Sequence, residues 1–275
     1  MKQKYILPIL STVVSAYRYG SGSGPDDTFQ GYNQNPNATG SGSLLGVDMS
    51  SNSSSGDNPK DWTAAINVTD VPVSGGVITN SVISFNDNGA FNPNSTTWNT
   101  CVMIMFDVAR NATEKGQKDP GDCSAALGDQ CRSDWIGRVS VAAANAGNEG
   151  RDPCSISFPD IPSSCTGLFS PNGVTGPIEP SYTMGSAWWY AADPLPAHKA
   201  SNFTSYETAA TRIWPVLLIQ TNNQTKTFST QMSCLRARTA TQGSHEIRDV
   251  PGAGSRVNRV RWSLSAVFAV AGFMI

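Results

Sequence analysis

The amino-acid sequence predicts an α+β fold: a strand-dominated, disulfide-stapled domain, a β-sheet or sandwich with one or two helices around 123–145 and a disordered N-terminal arm. Three observations support this. Segments rich in β-branched and aromatic residues, separated by Asn, Gly and Pro, recur after residue 61. A helical periodicity follows Asp122. Six cysteines are present in 275 residues, enough for three disulfides.

The first predicted strands are Ala64–Val68, Val77–Phe85 and Trp98–Val108. Within the third, Thr100–Phe106 is almost continuously apolar. A run without alternation is typical of a strand that is covered on both faces. We therefore expect a central strand there.

A hairpin is predicted near the end of the domain, with arms at Arg212–Gln220 and Thr225–Arg236 and a turn at 221–224. Pro215 lies inside the first arm. Proline has no N–H to donate, so this arm is expected to be an edge strand or to be bulged at that point.

One or two helices are predicted over about 123–145, interrupted near Gly128. Asp122 is a candidate N-cap, because its side chain can accept the free N–H groups of a first turn. Apolar residues then recur at near-helical spacing: Leu127, Cys131, Trp135, Val139 and Ala142.

The N-terminal residues are typical of a secretory signal peptide. Lys2 and Lys4 precede a short apolar segment, Tyr5–Val14, and small residues favour cleavage after Ala16. A membrane span needs roughly 20 apolar residues, and this segment is shorter.

The C-terminal residues predict attachment of a glycosylphosphatidylinositol (GPI) anchor. Small residues at 252–254 precede a polar spacer, Ser255–Trp262, and an apolar run, Ser263–Ile275. As a helix this run is about 20 Å long, against about 30 Å of hydrocarbon. Gly252 is the favoured attachment residue, with Gly254 or Ser255 next.

These features divide the chain into five predicted parts. They are a signal peptide (1–16), a flexible arm rich in Gly, Ser and Asn (17–60), one extracellular domain (61–237), a polar tether (238–252) and an anchor propeptide (253–275). Within the arm, Leu44–Val47 is the only expected contact with the folded domain.

The charge balance argues against nucleic acid or anionic lipid as a partner. Without Lys2, Lys4 and the three arginines after residue 255, 14 basic residues face 21 acidic ones, a net charge near −7. Phosphate backbones are bound by basic faces.

Export brings glycosylation and disulfide formation into consideration. Seven Asn-x-Ser/Thr sequons are candidate glycan sites: Asn37, Asn52, Asn67, Asn94, Asn111, Asn202 and Asn223. The six cysteines allow fifteen pairings. The favoured set is Cys154 with Cys165, Cys123 with Cys131, and Cys101 with Cys234. No C-x-x-C spacing occurs, so zinc is not expected. No P-loop, dinucleotide fingerprint or calcium loop occurs either, so neither another metal nor a cofactor is expected.

The search for catalytic residues yields no clear constellation. His245 lies in the predicted tether, which leaves His198 as the one candidate base, and no G-x-S-x-G motif occurs. Glycoside hydrolysis needs two carboxylates about 5–9 Å apart. Acidic residues in the predicted domain supply several candidates: Asp107, Asp160, Glu179, Asp193 and Glu207.

The segment Trp188-Trp189-Tyr190 is the most suggestive local feature. Aromatic faces stack on sugar rings, and in a strand Trp188 and Tyr190 share one face while Trp189 points away. Trp188 and Tyr190 are therefore the candidate ligand-binding residues. Core packing of these rings is the favoured alternative.

The chain resembles a loosely defined group of fungal secreted and GPI-anchored surface glycoproteins without established activity. The resemblance covers about residues 98–237 and rests on Asp122–Cys131 with Asp134-Trp135, a later Pro/Ser-flanked cysteine pair, Trp214–Leu218 and Met232–Ala237. It implies location and domain extent only.

The sequence as a whole favours a non-enzymatic, GPI-anchored glycoprotein of the plasma membrane or cell wall with a structural, adhesive or glycan-binding role. Its expected partners are the membrane, through the lipid anchor, and a cell-wall glycan; protein partners are left open. The alternative is a carbohydrate-active enzyme acting on wall polysaccharide.

Overall fold

Two antiparallel β-sheets and a layer of helices form the protein. The computed structural model describes residues 20–23, 35–49, 59–90, 97–178, 189–248 and 250. The strands in these ranges are β1 (Gly20–Ser23), β2 (Ala38–Val47), β3 (Pro59–Val73), β4 (Gly76–Asn86), β5 (Trp98–Met105), β6 (Gly173–Pro177), β7 (Trp189–Pro194), β8 (Trp214–Asn222), β9 (Phe228–Leu235) and β10 (Thr239–Ala240). The first sheet has the order β1-β7-β4-β3-β2-β10 and the second β6-β5-β8-β9.

The helices of the described ranges are α1 (Arg110–Gly116), α2 (Ser124–Leu127), α3 (Asp129–Asn148) and α4 (Thr204–Thr211). Two short 3₁₀ turns, Pro153–Ser155 and Ser163–Cys165, lie between α3 and β6. Together with the two sheets and three disulfides, they confirm the predicted disulfide-stapled α+β domain.

Side-chain alternation along β5 explains how the layers stack. Val102 and Ile104 belong to the core between the two sheets. Met103 and Met105 belong to a second core, which the helices cover and which contains Trp135. Successive residues of a strand point to opposite faces, so β5 is buried on both sides. The predicted central strand is confirmed.

The predicted helical region is also confirmed, as α2 and α3 separated by Gly128. Gly128 has a φ of +79°, a conformation that L side chains rarely adopt, so the chain turns there between the helices. Asp122 accepts the N–H of Ser124 at 2.9 Å. Most of the free N–H groups at the start of α2 are instead taken by the buried carboxylate of Asp119.

The hairpin is present, but Pro215 does not mark an edge strand or a bulge. Strand β8 lies between β5 and β9, and its register is continuous through Pro215, which is opposite Cys234. The N–H of Cys234 bonds to Gly121, so the proline ring nitrogen faces away from β9. On that side the ladder with β5 begins only at Val216. Because Pro215 lacks an N–H group only where no strand partner would accept it, the sheet loses no inter-strand hydrogen bond.

The predicted flexible arm is wrong for residues 38–47. These residues form β2, which pairs with β3 over its whole length and buries Leu44 and Val47. Close packing against neighbouring residues explains why β2 contains glycines. A Cβ on Gly40 would lie 1.9 Å from the carbonyl oxygen of Arg236, so the strand approaches the segment after β9 closely.

The favoured disulfide pairing is wrong at all three bridges. The disulfides join Cys101 to Cys154, Cys123 to Cys234 and Cys131 to Cys165. Residues 101 and 234 lie on strands that flank β8, and strands two apart are about 10 Å from each other. That distance exceeds the roughly 7 Å limit between bridged Cα atoms.

The other two favoured pairs fail because their cysteines lie against different elements. Cys154, in the first 3₁₀ turn, lies within bonding distance of Cys101 on β5, whereas Cys165, in the second, lies within bonding distance of Cys131 on α3. Cys123 and Cys131 are separated by α2 and the turn at Gly128. Two of the bridges therefore tie the helical layer and its loops to the second sheet, and the third ties α3 to the second 3₁₀ turn.

Substitution of Gly40 by alanine is expected to lower the free energy of unfolding by about 2–3 kcal/mol, because the new methyl group meets backbone. Gly137 is the matched control. It lies in α3 with no atom within 4 Å of its Cβ position, so Gly137→Ala should raise stability by about 0.5–1 kcal/mol. Denaturant unfolding measures both, and wild-type stability of Gly40→Ala would contradict the close approach.

Candidate functional site

The aromatic residues predicted to bind a ligand are only partly placed. Trp188 lies outside the described residues. Tyr190 belongs to β7, where its backbone is opposite Ser84 of β4 and Gly22 of β1. The aromatic site therefore stays a prediction.

The candidate catalytic carboxylates fall on separate elements. Asp107, just after β5, accepts a hydrogen bond from Asn172 Nδ2 at 2.7 Å, and Asp160 is exposed between the two 3₁₀ turns. Asp193 lies in β7 opposite Ser81, and Glu207 lies on α4. Glu179 is outside the described residues. Asp107 is hydrogen-bonded to the amide of Asn172, and Glu207 to the imidazole of His245.

Two further findings concern the described residues only. They contain no group of three or more His, Cys, Asp or Glu side chains placed to hold a metal ion. Within the same ranges, no helix has the length and apolar character needed to cross a membrane.

His198 has a structural position rather than that of a catalytic base. Its backbone exchanges two hydrogen bonds with Val77, at 2.8 and 2.9 Å, which fixes the loop after β7 against the start of β4. Its ring Nδ1 lies 3.2 Å from the carbonyl oxygen of Pro196. That contact is a backbone carbonyl, whereas a serine-hydrolase base is oriented by a carboxylate.

A small hollow lies where the β8–β9 hairpin meets the end of α3. Its volume is about 20 Å³, close to that of one enclosed water molecule. Its lining includes Ala143, Gly147, Asn222, Lys226 and Phe228.

The most organised polar cluster lies elsewhere, where the segment after β9 returns to the sheet. We call it the C-terminal clasp and define it as Asn37, Phe203, Tyr206, Glu207 and His245. Three of its residues belong to α4 or directly precede it, at positions i, i+3 and i+4. That spacing places them on one side of a helix.

His245 is the residue that the clasp holds. Its ring stacks on Phe203, with centroids 4.0 Å apart and planes inclined by 4°. Tyr206 meets the same ring edge-on at 5.9 Å. The Nε2 atom of His245 lies 3.1 Å from Glu207 Oε1, and the side chains of His245 and Glu207 are both about one-fifth exposed. Such a ring has lost most of its freedom to move into solvent.

Asn37 holds the same segment from the other side. Its Nδ2 donates to Ser244 Oγ at 3.3 Å, and its Oδ1 accepts the N–H of Asp70 at 2.7 Å. Its carbonyl oxygen accepts the N–H of Thr241 at 2.9 Å. Just before this contact, β10 pairs with the start of β2.

The clasp corrects the prediction of a polar tether over 238–252. The segment is part of the fold at least through Ile247, which packs against the core between the sheets. Sequence reasoning missed it because β10 has two residues and no periodicity. The contacts also join positions about 40 and 200 residues apart.

Tyr206 makes the clasp sensitive to alkaline pH. Burial, and secondarily the negative charge of Asp70, raise the pKa of Tyr206 from its ordinary value of 10.0 to about 12. In the unfolded chain the hydroxyl ionises near pH 10, so between pH 10 and 12 the native state holds the extra proton. Stability is therefore complete below pH 10 and falls as pH rises, by up to about 1.4 kcal/mol per pH unit.

Unfolding of the wild type and of Tyr206→Phe, measured from pH 9 to 12, tests this. The variant should lose this component of the pH dependence while losing little at pH 7, where only a long 3.4 Å bond to Asn37 is removed. Parallel pH profiles for the two proteins would contradict the assignment.

The sequons differ in their exposure. Asn111, Asn202 and Asn223 are exposed, whereas Asn37 and Asn67 are partly buried. Asn52 and Asn94 lie outside the described residues.

Comparison of the chain with protein-family models, with curated proteins and with solved structures finds no match. The resemblance to fungal surface glycoproteins therefore stays a prediction.

Proposed function

We propose that this chain is an exported glycoprotein held by a GPI anchor at the fungal plasma membrane or cell wall, with a non-enzymatic structural, adhesive or glycan-binding role. The observation that supports it most is that all six cysteines are paired in three disulfides. Such bridges form and persist in the secretory pathway and outside the cell. The predicted signal peptide and anchor signal agree with that compartment.

The sequons support the same proposal. An attached glycan must project into solvent, and Asn111, Asn202 and Asn223 do so from three separate places: α1, the residues before α4 and the β8–β9 turn. The amide of Asn37, in contrast, is engaged in the clasp. A glycan on its Nδ2 would separate β2 from the C-terminal segment.

Expression of the full chain in a yeast host tests the anchor. We expect surface display, release by phosphatidylinositol-specific phospholipase C, and secretion into the medium when Ser263–Ile275 is deleted. Recovery of the full chain from the cytosol, with free thiols and an intact Ile275, would overturn the proposal.

Glycan mapping of the displayed protein tests the assignment of sites. We expect Asn111→Gln, Asn202→Gln and Asn223→Gln each to remove one glycan, seen as a gel shift that endoglycosidase treatment of the wild type reproduces. Asn37→Gln should leave the glycan number unchanged. A glycan on Asn37 of the folded protein would contradict the clasp geometry.

A further inference from the structure

The strand register defines two opposite ends of the sandwich. Strand β8 begins at Trp214, three residues after α4, and ends at the hairpin turn. Its nine residues span about 30 Å. We call the end with α4 and the clasp the clasp end, and the other end, at residues 222–228, the hairpin end.

Several independent contacts place the clasp at one end only. Ala38, the first residue of β2, pairs with Ala240 of β10 beside the clasp. Val47, the last residue of β2, donates its N–H to Gln220 near the hairpin at 2.6 Å. The described C-terminal segment therefore lies at the clasp end.

The chain beyond the clasp is short. Ile247 packs on the core, and three residues separate Arg248 from Gly252, the favoured attachment residue. The four Cα-to-Cα steps from Arg248 to Gly252 reach at most about 14 Å when extended. The clasp end can therefore not move far from an anchor attached at Gly252.

We propose that the clasp end is the surface of this protein that faces the outer leaflet of the membrane. This rests on the proposed lipid anchor and adds an orientation to it: the clasp end lies against the headgroups and the hairpin end points outward. Without the clasp, residues 238–252 would be a tether of fifteen residues, and the body could tumble freely.

Three exposed cationic side chains at the clasp end can contact the phosphates of lipid headgroups. They are Lys118, Lys199 and Arg248; the carboxylate of Glu246 is also exposed there, and Phe203 is 41% exposed beside His245. Ammonium and guanidinium groups bind phosphate, and aromatic rings favour the boundary between water and hydrocarbon.

Energy transfer on intact cells tests the orientation. Lys199 at the clasp end and Lys226 at the hairpin end are both exposed, so Lys199→Cys and Lys226→Cys form a matched pair for one thiol-reactive donor dye. The acceptor is a lipid dye in the outer leaflet. We expect transfer from position 199 to exceed that from position 226 roughly twofold or more, given the 30 Å length of β8.

Equal transfer from the two positions, or more from position 226, would overturn the orientation. Phospholipase treatment separates this failure from failure of the anchor. If the enzyme releases neither protein, the anchor proposal itself is wrong; if it releases both and their transfer was equal, only the orientation is wrong.

A length variant provides the second measurement. Insertion of twenty Gly/Ser residues between Val250 and Gly252 adds roughly 25 Å of flexible chain without changing the fold. Transfer from position 199 should then fall toward that from position 226. Unchanged transfer would show that the short connection between Arg248 and Gly252 does not set the orientation, and would overturn the proposal.

Discussion

Removal of the disulfide between Cys123 and Cys234 is expected to destabilise the protein by about 5 kcal/mol, more than removal of either other bridge. This bridge closes the longest loop, with a sequence separation of 111, against 53 and 34 for the others. Loop-closure entropy gives about 5 kcal/mol for 111 residues and about 4 kcal/mol for 34.

The packing around this bridge adds to the expected difference. Gly121, two residues before Cys123, accepts the N–H of Cys234 at 2.9 Å and the hydroxyl of Ser233 at 2.7 Å. These bonds cover the outer edge of β9, which has no strand partner on that side in the described sheet. Loss of the disulfide therefore also loosens the edge of the second sheet.

Denaturant unfolding of Cys123→Ala/Cys234→Ala, compared with Cys131→Ala/Cys165→Ala, measures the effect. The two pairs are matched because all four sulfurs are buried. A greater loss in the second double variant would contradict the ranking. Peptide mapping under non-reducing conditions checks the pairing itself.

The sequence predicts those elements in which the pattern of apolar residues reflects the faces that are buried. The apolar run of β5 and the periodicity of α3 are set by the two cores that they enter, so the pattern reports the structure directly. Strand β2 carries no such pattern, because glycines fill the positions where neighbouring backbone, at Gly40, or side chains, at Gly42 and Gly46, come close. The Gly- and Ser-rich composition of residues 38–47 therefore predicts a loop where the structure has a strand.

The disulfide pairing and the clasp were beyond prediction for a different reason. Each depends on which elements meet in three dimensions, and the nearest cysteine in sequence is not the nearest in space. The candidate aromatic site is the opposite case, because its residues are adjacent in sequence but their exposure depends on the surrounding fold. A local cluster of rings predicts a surface, but only the packing around it decides which ring is accessible.

Substitution of Asp119 by alanine is expected to cost about 4 kcal/mol, close to the effect of a lost disulfide. The carboxylate is 4% exposed and accepts four backbone N–H groups. Oδ1 accepts those of Gly121 and Cys123 at 2.8 and 3.0 Å, and Oδ2 those of Ala125 and Ala126 at 2.9 and 3.0 Å. Alanine leaves these donors without an acceptor, and each buried, unpaired donor costs about 1–3 kcal/mol unless water reaches it.

Two companion variants separate this role from a general effect of charge. Asp129→Ala also removes a carboxylate, but one that is exposed and pairs with Arg132 at 3.5 Å, so less than about 0.5 kcal/mol is expected. Asp119→Asn keeps the shape and one acceptor oxygen. Its loss of stability should lie between those of Asp119→Ala and Asp129→Ala, because its amide nitrogen cannot accept the N–H groups of α2. If Asp119→Ala unfolded at the same denaturant concentration as Asp129→Ala, the loop before Cys123 would not depend on this carboxylate. The turn that positions the Cys123–Cys234 bridge would then be held by the disulfide alone.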